Sequence, residues 1–257
     1  SNSLVAIDGI IILMRKLILL GFLFCSLSVT SVLAKPPAVP TRPLPPVAPL
    51  PPPVPEAPTH SGIYSDPQYP GLLVHVFVHN HPSFSSTPVC LDPDSVSQVG
   101  SAGWRLPSAT WTYHLNPSSV PTSVGGSNLP TLAANSFSVW DSALSSPAKP
   151  ALSRGPNTNI NRSRKDGKNV IAWGQTSNGT LGVTYIRYYA SSGLVIDVDT
   201  IMNKRVPWVW QPTSCGFNSY EAQNILIHEV GHWYGLDDEY DPPYLDNTMF
   251  GYADRGE

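Results

Sequence analysis

The sequence predicts an α+β fold, on three observations. Five segments are rich in β-branched and aromatic residues and are bounded by turn formers, as strands are. Two others carry apolar residues at helical spacing. The second of these contains His228-Glu229-Val230-Gly231-His232, in which two histidines four apart fall on one helix face, one turn above the other.

The chain has 257 residues, enough for one ordinary domain with additions. A formal net charge of −3 and the lack of a basic tract argue against a nucleic-acid partner. Met14-Arg15-Lys16 followed by the apolar run 17–24 is built like a secretory signal peptide, and Val32-Leu33-Ala34 offers a small-residue cleavage site before Lys35. On that reading 1–13 lie upstream of the natural start, 14–34 are the signal, and the exported chain keeps no stable membrane association. The rival is an uncleaved anchor over 10–33, in which Arg15 and Lys16 would be costly near the bilayer centre.

Residues 35–59 are a proline-rich tract. Proline fixes φ and removes an N–H donor, so the tract is expected to stay out of any sheet or helix as an extended spacer. A ligand for a proline-recognising partner is the alternative. Folded structure is expected from about residue 60, with 60–99 as an N-terminal extension and 100–257 as the main domain.

Leu72-Leu73-Val74-His75-Val76-Phe77-Val78-His79 reads as the first strand. His75, His79 and His81 are separated by even numbers of residues, which on a strand puts them on one face, either as a second metal site or as surface and core-edge histidines. Alternation over 110–116 predicts a second strand. Residues 130–144 predict a helix whose apolar positions are Leu132, Phe137, Val139, Trp140 and Leu144, with Asn128 as a cap and Pro130 in the first turn. Ser, Pro, Asn and Gly dominate 145–168, which predicts loop. Strands follow over 169–173, 181–189 and 194–202. In the last, Asp197 and Asp199 point away from Ile196 and Val198, as a solvated face or as a structural Ca2+ site. The final helix is expected after Asn218, which with Glu221 matches a capping box. Its apolar residues Ala222, Ile225, Leu226, Val230 and Trp233 cover much of its surface, which predicts burial.

That helix carries the chemistry. The ring nitrogens of His228 and His232 can converge on one zinc ion, with Glu229 beside it. Gly235 permits a sharp exit from the helix, because glycine takes positive φ without penalty. The chain can then bring Asp238 to the metal as a third ligand, with Asp237 as its adjacent rival. Three protein ligands leave a fourth position for water, as in catalytic rather than structural zinc sites. Zinc would lower the pKa of that water to about 7, and Glu229 would take its proton and later deliver it to a leaving amine. A buried helix with satisfied histidines is the bland alternative, and it explains neither the glycine nor the aspartate.

The motif His228-Glu229-x-x-His232-x-x-Gly235-x-x-Asp238, followed by Asn247-Thr248-Met249-Phe250-Gly251-Tyr252, resembles the metzincin metalloproteases of the matrixin group. Asp238 stands where most of them have a third histidine. The resemblance covers about 100–257 as the catalytic domain and implies a twisted mixed sheet and a buried zinc helix. It also implies a Met-turn in which Met249 floors the metal, with Tyr252 one place beyond the position of an auxiliary tyrosine. A further C-terminal helix would follow in that family, so the chain is expected to continue beyond Glu257. The resemblance also implies that the strand over 181–189 is a free edge, on which Leu181, Gly182, Val183 and Thr184 offer backbone groups to a peptide substrate paired as an added strand.

After signal removal Cys90 and Cys215 remain, and in an oxidising compartment they are expected to pair. Pro88-Val89-Cys90-Leu91-Asp92-Pro93-Asp94 also resembles the matrixin propeptide motif, whose thiolate sits on the zinc and keeps the enzyme latent, although its Arg and Gly are absent here. Taken together, the sequence predicts a secreted zinc endopeptidase acting on proteins or peptides. The competing class is a secreted binding protein that kept the fold without catalysis. Casein or gelatin cleavage with and without a chelator separates them.

Overall fold

The structure is a computed structural model that describes residues 48–49, 58–66, 68–82, 102–107, 109–144, 150–210, 218–245 and 247–256. All of these fall in one compact unit, Thr41–Glu257. The signal segment and both cysteines of the disulfide expectation, Cys90 and Cys215, lie outside the described residues.

Strands β1 (Ala48–Pro49), β2 (Gly62–Ser65), β3 (Leu72–Asn80), β4 (Trp111–Leu115), β5 (Leu152–Arg154), β6 (Asn169–Gly174), β7 (Thr180–Tyr189) and β8 (Val195–Asn203) form one mixed sheet. Their order across it is β1-β2-β3-β7-β8-β6-β4-β5. Pairing is parallel from β5 through β4 and β6 to β8, and antiparallel from β8 through β7 and β3 to β2. Helices α1 (Leu129–Ala143) and α2 (Ala222–Trp233) complete an α+β fold. A short parallel pair, β9 (Trp208–Val209) with β10 (Tyr220–Glu221), leads directly into α2. Among the described residues no helix is long and apolar enough to cross a membrane.

The five strands read from alternation are present, each within a residue or so of its expected bounds. β5 falls in the segment read as loop, because three residues are too short to show a period. The proline tract does contribute to the sheet: Ala48 and Pro49 pair in parallel with Tyr64 and Ser65. Proline is tolerated there because an edge strand leaves one side unpaired. The described part of the extension read over 60–99 is built into the sheet through β2 and β3.

Helix α2 lies against the sheet and against α1, and its buried face is Ala222, Ile225, Leu226, Val230 and Trp233. Trp233 is fully buried, donates Nε1–H to Thr200 Oγ1 of β8 at 2.9 Å, and meets Phe137 of α1 edge-on. Trp140 of α1 donates to the Ile227 carbonyl at 2.7 Å. These bonds satisfy the indole N–H groups, without which burial of the rings would be costly. Val139, read as part of the α1 core face, is exposed instead.

Neither helix is capped as expected. The Asn128 amide donates back to the Val124 carbonyl rather than capping α1. Glu221 stands at the N-cap of α2 without a side-chain cap bond, and Asn218 instead accepts a hydrogen bond from Arg255. The strand pair β9–β10 fixes the helix start, so the capping box is not used.

Gly231 sits where α2 crosses Met249. A Cβ at Gly231 would overlap Met249 Sδ and come within 2.9 Å of Trp140. Overpacking a dense interior costs about 1–3 kcal/mol, against a helix-propensity gain of about 1 kcal/mol for replacing glycine. Gly231→Ala is therefore expected to lower the melting temperature by a few degrees, read by thermal denaturation. An unchanged or raised melting temperature would contradict this packing.

Candidate metal centre

Helix α2 presents His228 and His232 on one face and stops directly after them. Tyr234 N–H bonds the Gly231 carbonyl and Gly235 N–H bonds the His232 carbonyl, closing the last turn. Gly235 then takes φ +88°, a region that glycine enters without penalty. The reversal aims the Leu236 carbonyl back at His232 Nδ1, 2.9 Å away. The turn at Asn247, in which the Asn247 side chain accepts from Met249 N–H, aims the Thr248 carbonyl at His228 Nδ1, also at 2.9 Å. Glu239 locks the two loops together by exchanging backbone bonds with Met249 and Gly251.

These two carbonyls decide the tautomers. A carbonyl only accepts, so each Nδ1 is the donor, and each neutral ring turns an Nε2 lone pair inward. The two Nε2 atoms are 3.2 Å apart, and Asp238 Oδ1 lies 3.2 Å from that of His228 and 3.4 Å from that of His232. Three acceptors this close repel one another unless a cation or a proton on one of the rings stands between them. A tetrahedral ion with bonds of about 2.0–2.1 Å sets its donors about 3.3–3.4 Å apart, so the donor set fits such an ion. The charges respond to the same crowding. Burial disfavours ionising Asp238, but the His232 and His228 imidazoles outweigh it and hold the carboxyl well below its ordinary range. Burial disfavours charging His232, but Asp238 outweighs that and raises it.

Glu229 lies beside this triad and is not one of its close donors. Oε2 accepts a short hydrogen bond from the Thr184 hydroxyl of β7, and Oε1 has no hydrogen-bond partner. Glycine at 182 is required here, because a Cβ would overlap Glu229 Oε1. Burial raises the Glu229 carboxyl above its usual range, against the lowering effect of the two imidazoles and of Thr184. Met249 is fully buried against Gly231, between the two ligand histidines in sequence.

Two contributors were not legible as such. Tyr240 donates its hydroxyl to Asp238 Oδ2 at 2.9 Å and stacks edge-on with Tyr252. Its only sequence signal is its place two residues beyond Asp238. His79 of β3 lies over the centre, its ring 3.8 Å from that of His228 and its Nδ1 3.9 Å from Glu229 Oε1. Of the three histidines at even separations, His75 and His79 share the inner face, with Phe77 between them stacked on His232 at 3.8 Å. His81 is exposed. His75 is a satisfied core histidine: it accepts from Trp104 Nε1, and burial lowers its pKa to about 3.

Two expectations are corrected. β7 is not a free edge, because β3 pairs along its length on one side and β8 on the other. The backbones of Gly182, Val183 and Thr184 are thus paired with β3 and β8, Leu181 falls at the irregularity where the β3 register shifts, and Thr184 joins the site through its hydroxyl instead. Asp197 and Asp199 do not face solvent; both are buried, and Arg187 from the neighbouring strand bonds them at 2.7 and 3.3 Å. Its guanidinium takes the place the two carboxylates would offer a calcium ion. Burial and the adjacent Asp197 together push Asp199 up to about 8.

Compared with known proteins, the chain matches no family model, no curated protein and no solved structure.

The geometry separates the two neighbouring aspartates. Asp238 contributes a donor atom, whereas the Asp237 carboxylate accepts the Asp238 backbone N–H. Asp238→Ala is expected to weaken metal retention by at least about tenfold, since loss of even a supporting partner typically costs that much. Asp237→Ala is expected to leave it within a few-fold. Competition against a chromogenic chelator measures both, and the reverse ranking would place the ligand one residue earlier.

Proposed function

We propose that the chain is a secreted zinc-dependent endopeptidase, resembling the matrixin-type metzincins with aspartate as third metal ligand. One observation carries this: His228, His232 and Asp238 converge at the spacing of three corners of a tetrahedral ion, with a buried carboxylate alongside that is not among them. A structural site has no use for that carboxylate. A hydrolytic one needs a base beside the metal. The short exit through Gly235, the Met249 turn packed on Gly231 and the mixed sheet all agree with the resemblance.

Zinc, when bound, supplies Lewis acidity and makes water acidic enough to lose a proton near neutral pH. The chain's own groups do the rest. His228, His232 and Asp238 hold the ion, and the Thr248 and Leu236 carbonyls keep the imidazoles aimed. The Thr184 hydroxyl fixes Glu229 by Oε2 and leaves Oε1 free to take a proton. Burial raises the affinity of Glu229 for that proton, which suits a group that must accept it from water and pass it to the leaving amine. Tyr240 braces Asp238 from the oxygen opposite the metal side.

Glu229→Ala is expected to lower peptide hydrolysis by about 10²–10⁴-fold, the usual worth of a positioned base, while zinc content stays unchanged. The assay is cleavage of casein by metal-loaded protein, with elemental analysis of the same samples. Activity near that of the unaltered chain would exclude Glu229 as the base.

A further inference from the structure

Asp238 carries a hydrogen bond on its far side that leads out of its own loop. Oδ1 faces the Nε2 atoms of His228 and His232, and Oδ2 accepts from the Tyr240 hydroxyl at 2.9 Å. A hydroxyl has one proton to give and lone pairs to spare. The Tyr240 proton is committed to Asp238, so the Tyr240 oxygen is left as an acceptor, and the Ser61 hydroxyl donates to it. Ser61 Oγ in turn accepts the backbone N–H of Val78 in β3 at 2.8 Å. The bonds all point the same way, from β3 through Ser61 and Tyr240 to Asp238.

Each of the two hydroxyl residues has an ordinary explanation, and neither explanation is complete. Ser61 stands just before β2, whose pairing with β3 ends at Gly62 with Val76. Its hydroxyl serves the N–H of buried Val78, which lies beyond that pair. That bond uses an oxygen lone pair and gives no reason for the hydroxyl proton to reach Tyr240. Tyr240 could pass for a surface aromatic, being 38% exposed. A surface ring needs no space cleared for it, yet a Cβ at Gly251 would overlap the Tyr240 ring, and Tyr252 packs edge-on against it with ring centres 5.5 Å apart. The same stretch is tied to β3, since the Asn80 backbone bonds those of Gly251 and Ala253. Tyr240 is thus seated where the Asp238 loop, the stretch after Met249 and the β2–β3 hairpin meet.

We propose that Ser61 and Tyr240 are positioning residues, a hydrogen-bond line that aims one oxygen of Asp238 at the metal and makes metal affinity depend on the β2–β3 hairpin, an inference that rests on the zinc-centre reading above. The terminal torsion of an aspartate is broad, so a free carboxylate turns either oxygen to a neighbour. Tyr240 on Oδ2 fixes which oxygen faces the imidazoles, and Ser61 fixes Tyr240. Partners of this kind orient the ligands of a metal, and their loss typically costs about 10–100-fold in affinity. Both act through Asp238 rather than on a substrate, so their signature lies in metal retention.

The test is the zinc affinity of the full chain and its variants, by competition with a chromogenic chelator, with the melting temperature of each metal-free protein as the check on folding. Tyr240→Phe keeps the ring in the space that Gly251 leaves and removes only the hydroxyl. It is expected to hold zinc about 10–100-fold more weakly. Ser61→Ala should weaken zinc by at least about twofold, the lower end of coupling within one network, and Ser61→Thr, which keeps a hydroxyl, should not. In the Tyr240→Phe background Ser61→Ala should change nothing further, because Ser61 acts through Tyr240. Zinc held by Tyr240→Phe as tightly as by the unaltered chain overturns the proposal, as does a loss from Ser61→Ala of equal size in both backgrounds. If Tyr240→Phe fails to fold, the comparison of Ser61→Ala with Ser61→Thr decides, and equal affinities overturn it. An unaltered chain that binds no zinc, or binds it no better than a double variant carrying His228→Ala and His232→Ala, brings down the zinc reading and the proposal with it. A chain that loses zinc in that double variant keeps the zinc reading whatever Tyr240→Phe shows.

Discussion

Three buried acceptors, two imidazole nitrogens and one carboxylate oxygen, are held 3.2–3.4 Å apart with no donor between them. This arrangement is imposed from behind, by the carbonyls of Thr248 and Leu236, each of which takes the outer proton of one histidine. Those carbonyls are placed by two tight turns, and Glu239 ties the turns to each other. The helix, the glycine exit and the Asn247 turn thus converge on one arrangement, in which three side chains that could serve as metal donors surround a single point.

Much of this was legible because it is local. Two histidines four apart, a glycine three beyond and an aspartate three beyond that encode one helical face and one reversal, and the structure brings their side chains together. Strand alternation likewise reported the sheet segments. Long-range pairing stayed hidden. Nothing around Asp197 and Asp199 announces that Arg187 will face them across the sheet, so two buried carboxylates read as a solvated face. Asn218 and Glu221 carry the spacing of a capping box, yet a strand pair sets the helix start instead. His79 shows the same limit: its even spacing from His75 gave the shared face, but not the strand against which β3 would pair or the centre that face would cover.

On the proposed reading, covering and catalysis pull in opposite directions. The surroundings that raise Glu229 and fix its geometry also exclude the peptide it would act on. Preorganisation favours a dry, rigid site, and turnover requires that the site open. In this fold the conflict falls on β3, which is fully integrated into the sheet and lays the Phe77 and His79 rings against those of His232 and His228.

The measurement closest to the central claim is metal stoichiometry on the folded chain. Protein purified with zinc, dialysed and checked for native secondary structure by circular dichroism is analysed for bound metal, alongside a double variant carrying His228→Ala and His232→Ala. The account predicts a single tightly held zinc per unaltered chain and none in the double variant. A folded, unaltered chain that retains no zinc, or a double variant that retains as much, would contradict it.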